Sequence, residues 1–336
     1  MDIPKVSIIL PVYGVEEYLR ECLDSILSQD YTDFEVIAVN DCSPDKSLEI
    51  LREYAAQDRR ICVENLPKNV GLGRARNAGF GKARGEYVWF IDSDDRLLPQ
   101  ALTLLIGRVE DTHADVTICG WLRSYPDGTV EKPLALLHLS NAPDEFTVAS
   151  YPQILQVFHV AWNKIVKREI LRNHSIDFEE GWYEDIDFTY PLLARAASIS
   201  TLPEPCVSYR QERQGSILAT RSDRHFEVFD HWERALGRLE GAEFDHIRSL
   251  LVPRLIDSLL AILFHPGRLP SRDTRRFLKQ SSSFIQRWQS TVTSVGSLDR
   301  AAVNWMKRGK VRLLYLLWRL RRLALRAKLE MNSRFR

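Results

Sequence analysis

Three carboxylates, Asp92, Asp94 and Asp95, follow directly on the apolar run Tyr87-Val88-Trp89-Phe90-Ile91. Carboxylates this close repel one another, so a fold keeps them together only with a compensating cation or abundant water. A short apolar run bounded by turn formers reads as a strand buried on both faces. The carboxyl ends of such strands are where open α/β sheets hold their ligands. The plainer alternative is a solvated turn in which Asp95 caps the next helix.

A further carboxylate, Asp41, closes the apolar run from Phe34 to Asn40. In a parallel sheet it can share a crevice with Pro11 and Tyr13 on one side and with Asp92 and Asp94 on the other. A carboxylate there can accept a hydrogen bond from the N3–H of uracil, a donor that cytosine lacks. Its alternative role is to cap the helix that follows. The segment NVGLGRARNAGFGKARG, Asn69 to Gly85, is a glycine-bearing loop feeding a helix. Its glycines permit close backbone approach, and Arg74 and Arg76 can meet phosphate. Its spacing is not GxGxxG, and no GxxxxGK[ST] loop occurs, so neither nucleotide fingerprint is present.

The elements that must position these groups alternate. Val6 to Val12, Phe34 to Asn40, Ile61 to Asn65, Glu86 to Asp92 and Asp115 to Cys119 read as strands. Helices are expected over Glu16 to Gln29, from about Asp45 to Asp58, over Gly71 to Ala83 and over Pro99 to Asp111. This alternation implies a mainly parallel sheet with helices on both faces. Thr129 to Phe146, polar and proline-bearing, reads as a hairpin and loop. Beyond about Ser222 the pattern is helical over Phe226 to Leu239, Ile247 to Phe264 and Arg272 to Gln289, with a break at Pro266 to Pro270.

Composition sets limits. The chain has 336 residues, 45% hydrophobic and 27% charged, which suits a large packed domain with an appendage and not bulk disorder. Five scattered cysteines without a CxxC pair suit reduced thiols in a cytosolic protein. The eight histidines form no HxxxH or HExxH pattern, so no zinc site is expected. No signal peptide is apparent in MDIPKVSIIL, and no apolar run approaches a membrane span. The net charge of +1 conceals an asymmetry. From Lys307 to Arg336 there are eleven basic residues and one acid, a balance of +10, against −9 for the remainder. Such a basic tail suits an anionic partner.

The runs VSIILPVYGVEEYLRECLDSILSQDYTDFEVIAVNDCSPDKSLEIL and NVGLGRARNAGFGKARGEYVWFIDSDD together resemble the family-two glycosyltransferases with the GT-A fold, of the bacterial surface-polysaccharide or teichoic-acid type. The likeness spans about the first 215 residues. It departs at Gly14, where the family usually has Asn, and at Asn40, where a second Asp is common. The resemblance implies a single Rossmann-like, mainly parallel α/β sheet with helices on both faces, followed by a C-terminal helical region. The implied domains are a transferase domain over 1–218, with a nucleotide-sugar half (1–120) and an acceptor half (121–218), and a helical region over 219–336.

The same resemblance implies residue roles. Asp41 holds the donor base, while Pro11, Tyr13, Asn69 and Arg76 line the nucleotide pocket. Asp92-Ser93-Asp94 matches the DxD motif, with Asp94 the main ligand of Mn²⁺ or Mg²⁺. In EEGWYEDIDF, Glu184-Asp185 matches an acidic pair before an apolar helix, and Asp185 is the implied general base. Locally the pair reads only as charge complementing a helix dipole. Trp162-Asn163-Lys164 matches a segment near sugar and acceptor; the alternative is a core Trp beside a solvated Lys. Tyr209 to Ser216 resembles a YRxRxGS segment with one extra residue, so either Arg210 or Arg213 can face the diphosphate.

The implied activity is inverting, metal-dependent transfer of a sugar from a nucleotide-diphospho donor, a UDP-sugar, to a hydroxyl of a glycan, lipid-linked saccharide or cell-wall polymer. A hard cation neutralises the diphosphate, and a carboxylate must take the acceptor proton. The alternative is a catalytically silent sugar-binding or scaffold protein on the same fold. No nucleic-acid partner is expected. The last helix carries Leu313, Leu316, Leu317, Leu320, Leu323, Ala324 and Ala327 on one face and Arg312, Arg319, Arg322 and Arg326 opposite, with Arg321 and Lys328 toward the edge. It reads three ways: a helix on the anionic inner face of the plasma membrane, a homo-oligomer seam with a/d spacing, or a helix docked on its own domain.

Overall fold

The computed structural model describes residues 3–213, 220–265, 267–289 and 297–334. Aliphatic and β-branched residues make Val6–Val12 a strand (β1) with every side chain buried. In chain order there follow α1 (Glu16–Leu27), β2 (Phe34–Asn40), α2 (Ser47–Gln57), β3 (Ile61–Asn65), α3 (Leu72–Lys82) and β4 (Tyr87–Phe90). Then come β5 (Arg96–Leu97), α4 (Ala101–Thr112), β6 (Val116–Ser124), β7 (Val130–Glu131), α5 (Leu137–Ser140) and β8 (Lys164–Lys167). The first compact unit, Met1–Gln211, is completed by α6 (Arg168–Asn173), α7 (Glu184–Arg195) and β9 (Ile199–Arg210).

The sheet runs β3-β2-β1-β4-β8-β6-β9-β5, with β7 paired to β6. It is parallel through β3-β2-β1-β4, as the alternation of strands and helices requires. Beyond β4 it is mixed. Strand β8 inserts antiparallel between β4 and β6, and β9 lies parallel to β6. The insertion was not legible as a strand, because Lys164–Lys167 offers only two adjacent aliphatic residues, Ile165 and Val166, between two lysines. The ladder of β4 ends when the Ile91 amide donates to Ile9 at 3.0 Å, and the chain turns as Asp95 donates its N–H to the Asp92 carbonyl at 3.1 Å. The hairpin expected within 129–146 begins earlier, with Arg123 opposite Glu131, and short helical turns follow it.

The second compact unit, Glu212–Arg336, contains α8 (Glu227–Gly237), α9 (Asp245–Phe264), α10 (Thr274–Gln289), α11 (Ser297–Lys307) and α12 (Val311–Arg334). Of the expected break at Pro266 to Pro270, Pro266 lies outside the described residues. Among the described residues, no helix is long and apolar enough to cross a membrane. The face expected on the last helix divides. Leu314 and Leu317 are buried, and Tyr315 and Trp318 pack on Phe264 of α9. Arg321 pairs with Asp257 and Asp299 within the same unit. Arg321 and Leu317 thus belong to a docked face, while Leu313, Leu316, Leu320 and Leu323 remain exposed. The docked arrangement therefore accounts for one side of α12 only.

Helix α3 approaches the chain closely at its start. A Cβ on Gly73 would sit 2.4 Å from the Glu179 carbonyl oxygen, whereas one on Gly81 would meet nothing within 4 Å. Gly73→Ala is therefore expected to lower stability by about 1–3 kcal/mol through overpacking against backbone. Gly81→Ala should raise it by a few tenths to about 1 kcal/mol through helix propensity. Urea unfolding followed by tryptophan fluorescence checks both; equal midpoints for the two variants would contradict the close approach.

Candidate active site

The carboxyl ends of β1, β2 and β4 meet as a parallel sheet requires. The Ser93 hydroxyl donates to the Pro11 carbonyl at 2.7 Å and ties the turn after β4 to β1. Asp92, Asp94 and Asp95 each present a carboxylate oxygen within 4.8 Å of the others. Asp95 does not cap α4. Its Oδ1 accepts from the Arg210 amide at 2.7 Å, and among the described residues its buried Oδ2 accepts no hydrogen bond. Burial, and then the charges of Asp94 and Asp92, push its carboxyl well above the usual range. Clustered hard oxygens with an orphaned buried acceptor suit a hard divalent cation such as Mg²⁺ or Mn²⁺.

Arg76 joins this cluster to the acidic pair of α7. It is buried, its Nη2 donating to Asp92 Oδ1 at 2.8 Å and its Nη1 to Glu184 Oε1 at 2.8 Å and Asp185 Oδ1 at 3.2 Å. The Phe178 ring lies 5.0 Å from the guanidinium, stacked in turn on Phe188 at 4.0 Å. Burial opposes the charge on Arg76, but Asp92, Asp185 and Glu184 more than offset it and hold the group charged. Arg76 is thus an internal strut among three carboxylates. Arg74, expected beside it, points outward and pairs with Glu180 at 2.9 Å.

Tyr183 at φ 76° turns the chain into α7 and places Glu184 and Asp185 in its first turn. Burial first, and then the charge of Asp185, push Glu184 up to about 8. Asp185 is also raised by burial, with Arg76 opposing. The Ala161 N–H also donates to Asp185 Oδ1, at 3.2 Å. Among the described residues Oδ2 accepts no hydrogen bond, so the carboxylate keeps a proton-accepting edge.

The Trp162-Asn163-Lys164 segment is enclosed, with all three side chains buried. Asn163 donates to the Phe158 carbonyl at 2.8 Å, and Lys164 donates to Asn163 Oδ1 at 2.8 Å and to the Val160 carbonyl. These bonds brace the turn that offers Ala161 N–H to Asp185. Lys164 is not solvated: burial pushes its ammonium down to about 7, with Asp185 opposing.

Asp41 does not cap α2, where Asp45 accepts from the Ser47 amide at 3.1 Å. Its two oxygens accept from the Val70 and Gly71 amides at 2.7 and 2.9 Å, and Asn69 donates to its carbonyl at 3.3 Å. Asp41 thereby fixes the loop entering α3, and burial raises its carboxyl. Tyr13 stands half exposed beside Gly14, whose φ of +63° favours glycine. Of the two candidate arginines, Arg210 lies at the cluster, its Nε donating to the Asp94 carbonyl at 2.9 Å and Nη2 to Glu21 at 2.5 Å. Arg213 belongs to the second unit, and Gln214, Gly215 and Ser216 lie outside the described residues. Glu21 and Phe178 were missed. The resemblance gives neither of them a role, and only their places on α1 and before α7 bring them to the arginines.

Arg76→Met leaves three carboxylates without their shared cation. Breaking a buried pair in this way costs about 3–5 kcal/mol. Arg76→Lys should recover only part, because a point charge cannot fork to two sides. Urea denaturation is the check; a loss below about 1 kcal/mol for Arg76→Met would contradict the clasp.

Comparison with known proteins agrees with this geometry. The family model for glycosyl transferase family 2 matches residues 7–175. An uncharacterized glycosyltransferase, EpsJ of Bacillus subtilis, is 33% identical over 213 residues, covering 62% of each chain. The Staphylococcus aureus poly(ribitol-phosphate) beta-N-acetylglucosaminyltransferase TarS is 29% identical over 225 residues, covering 64% of this chain and 37% of its own. This chain thus aligns with less than two thirds of the length of these relatives. The crystal structure of S. aureus TarS residues 1–349 with UDP-GlcNAc shares the fold, with a TM-score of 0.74 at 22% identity over 95% of this chain and 92% of that one. Given a family match over half its length and the GT-A arrangement of its sheet, this chain belongs to glycosyl transferase family 2.

Proposed function

We propose that the chain is an inverting, metal-dependent glycosyltransferase. It moves a hexosyl or N-acetylhexosaminyl group from a UDP-linked donor to a hydroxyl of a glycan, lipid-linked saccharide or cell-wall polymer. The observation that carries the reading is the Arg76 clasp, which puts a diphosphate-holding cluster and a candidate base on one wall. Relatives named for transfer of N-acetylglucosamine and of glucose to poly(ribitol-phosphate) support the sugar class and the polymer acceptor. In this reading residues 1–218 are the transferase domain, 1–120 for the nucleotide and 121–218 for the acceptor, with 219–336 a helical appendage. The protein works in the cytoplasm, peripherally at the inner face of the plasma membrane.

Asp94, with Asp92 and Asp95 beside it, would hold Mg²⁺ or Mn²⁺. When bound, that cation neutralises the charge developing on the departing diphosphate. Asp41 and Asn69 shape the pocket for the base, with Pro11 and Tyr13 at its edge. Arg210, braced by Glu21, adds positive charge beside the cluster. The acceptor oxygen attacks the anomeric carbon on the face opposite the diphosphate. As the new carbon–oxygen bond forms, the bond to the diphosphate breaks and its electron pair leaves with UDP. The acceptor proton passes to the Asp185 carboxylate, whose raised affinity for a proton suits a base. One displacement inverts the anomeric configuration.

Asp185→Asn should leave UDP affinity nearly unchanged and lower kcat by roughly two to four orders of magnitude, the usual contribution of a general base. A panel of nucleotide sugars with polymer acceptors, assayed with Mn²⁺ and with a chelator, checks it, and proton NMR of the product reads the anomer. Transfer by the variant at near the parental rate would move the role to Glu184. Turnover undiminished by chelator would remove the metal, and a retained anomer would remove the single displacement.

A further inference from the structure

We infer that α12 docks the protein on an anionic lipid surface through the stripe Leu313, Leu316, Leu320 and Leu323, edged by Arg312 and Arg319. The inference rests on the second unit alone and is independent of the transfer chemistry. These four leucines are 41%, 54%, 53% and 55% exposed, an unusual state for four large aliphatic side chains in succession. They recur at intervals of three, four and three residues, so at 3.6 residues per turn they form one continuous ridge about 15 Å long.

The two sides of the helix are chemically distinct. One side is docked through Leu314, Leu317, Trp318 and the Arg321 pairs with Asp257 and Asp299. Helical geometry puts Arg312 and Arg319 along the opposite border of the leucine ridge. Both are exposed, as are Lys307, Arg308 and Lys310 just before. No acidic residue occurs between Lys307 and Lys328. An apolar ridge with a cationic border fits the boundary between lipid headgroups and acyl chains, where leucines enter the apolar layer and arginines meet phosphate. A second copy on the same ridge would set arginine borders close together, with no acid between Lys307 and Lys328 to neutralise them. The docked side explains why the ridge is presented, because the partly buried Arg321 pairs fix the helix's rotation about its own axis.

The test is co-sedimentation of the full chain with vesicles of phosphatidylcholine alone and of equal parts phosphatidylcholine and phosphatidylglycerol, at low and high salt. The expected result is binding to the anionic vesicles that weakens with salt. Replacing Arg312 and Arg319 by Gln should weaken it about 25-fold, since each basic residue near an anionic leaflet is worth about fivefold. Replacing Leu316 and Leu320 by Ser should weaken it at least about tenfold by removing apolar burial. The thermal midpoints of both variants should match the parent, because these side chains lie outside the docked face. Failure of the parent to bind anionic vesicles at low salt would overturn the inference. So would binding that survives the Leu→Ser changes, which would indicate a simple polyanion site. Concentration-dependent dimers abolished by the Leu→Ser changes, without vesicle binding, would assign the ridge to a second copy instead.

Discussion

The first unit depends on one buried cation among three carboxylates. Removing Arg76 from water is costly, and the cost is met only because both ends of its guanidinium are matched. Nη1 meets the α7 pair, Nη2 meets Asp92, and the Phe178 ring lies against the guanidinium. Three segments far apart in sequence must therefore come into register at once: the second turn of α3, the end of β4 and the start of α7. Gly73 is part of the same constraint. Only a residue without Cβ lets α3 approach the Glu179 carbonyl closely enough for Arg76 to reach across.

The mixed half of the sheet serves the same centre. By inserting antiparallel beside β4, β8 carries the 158–163 turn to the start of α7, where Ala161 N–H meets Asp185. Asn163 and Lys164 secure that turn from inside. Lys164 has no carboxylate within ion-pair distance among the described residues, yet burial has weakened its hold on a proton and its donors reach carbonyls. Its effect on the site passes through the backbone. Strand β9 does the corresponding work for the cluster, since its last residue, Arg210, gives its amide to Asp95 and its side chain to the Asp94 carbonyl.

The parallel strands and their helices were legible because periodicity and turn residues coincide there; β1, β2 and β3 keep the bounds expected of them. Helices α8, α9 and α10 were also foreseen within a few residues. Strand β8 was hidden by its lysines, and α11 was not foreseen. The acidic cluster was visible as residue types, but the partners of its members were not. Nothing local in GRARNAG says that Arg76 turns inward and Arg74 outward; that follows from which side of α3 faces the sheet. Likewise Asp41 can cap α2 on local grounds. Tertiary packing gives Asp41 the amides of Val70 and Gly71 instead, and it is Asp45 that accepts from the Ser47 amide at the start of α2.

If these interactions assemble a centre for a nucleoside diphosphate and a divalent cation, binding of the two must be coupled. Calorimetric titration of UDP with and without Mn²⁺, in the parent chain and in Asp94→Asn, reads that coupling directly and needs neither the sugar nor the acceptor to be known. The expected result is UDP binding strengthened by Mn²⁺ in the parent and little altered by it in Asp94→Asn, because few protein carboxylates complete such a shell. Equal dependence on Mn²⁺ in the two proteins, or none in the parent, would contradict it.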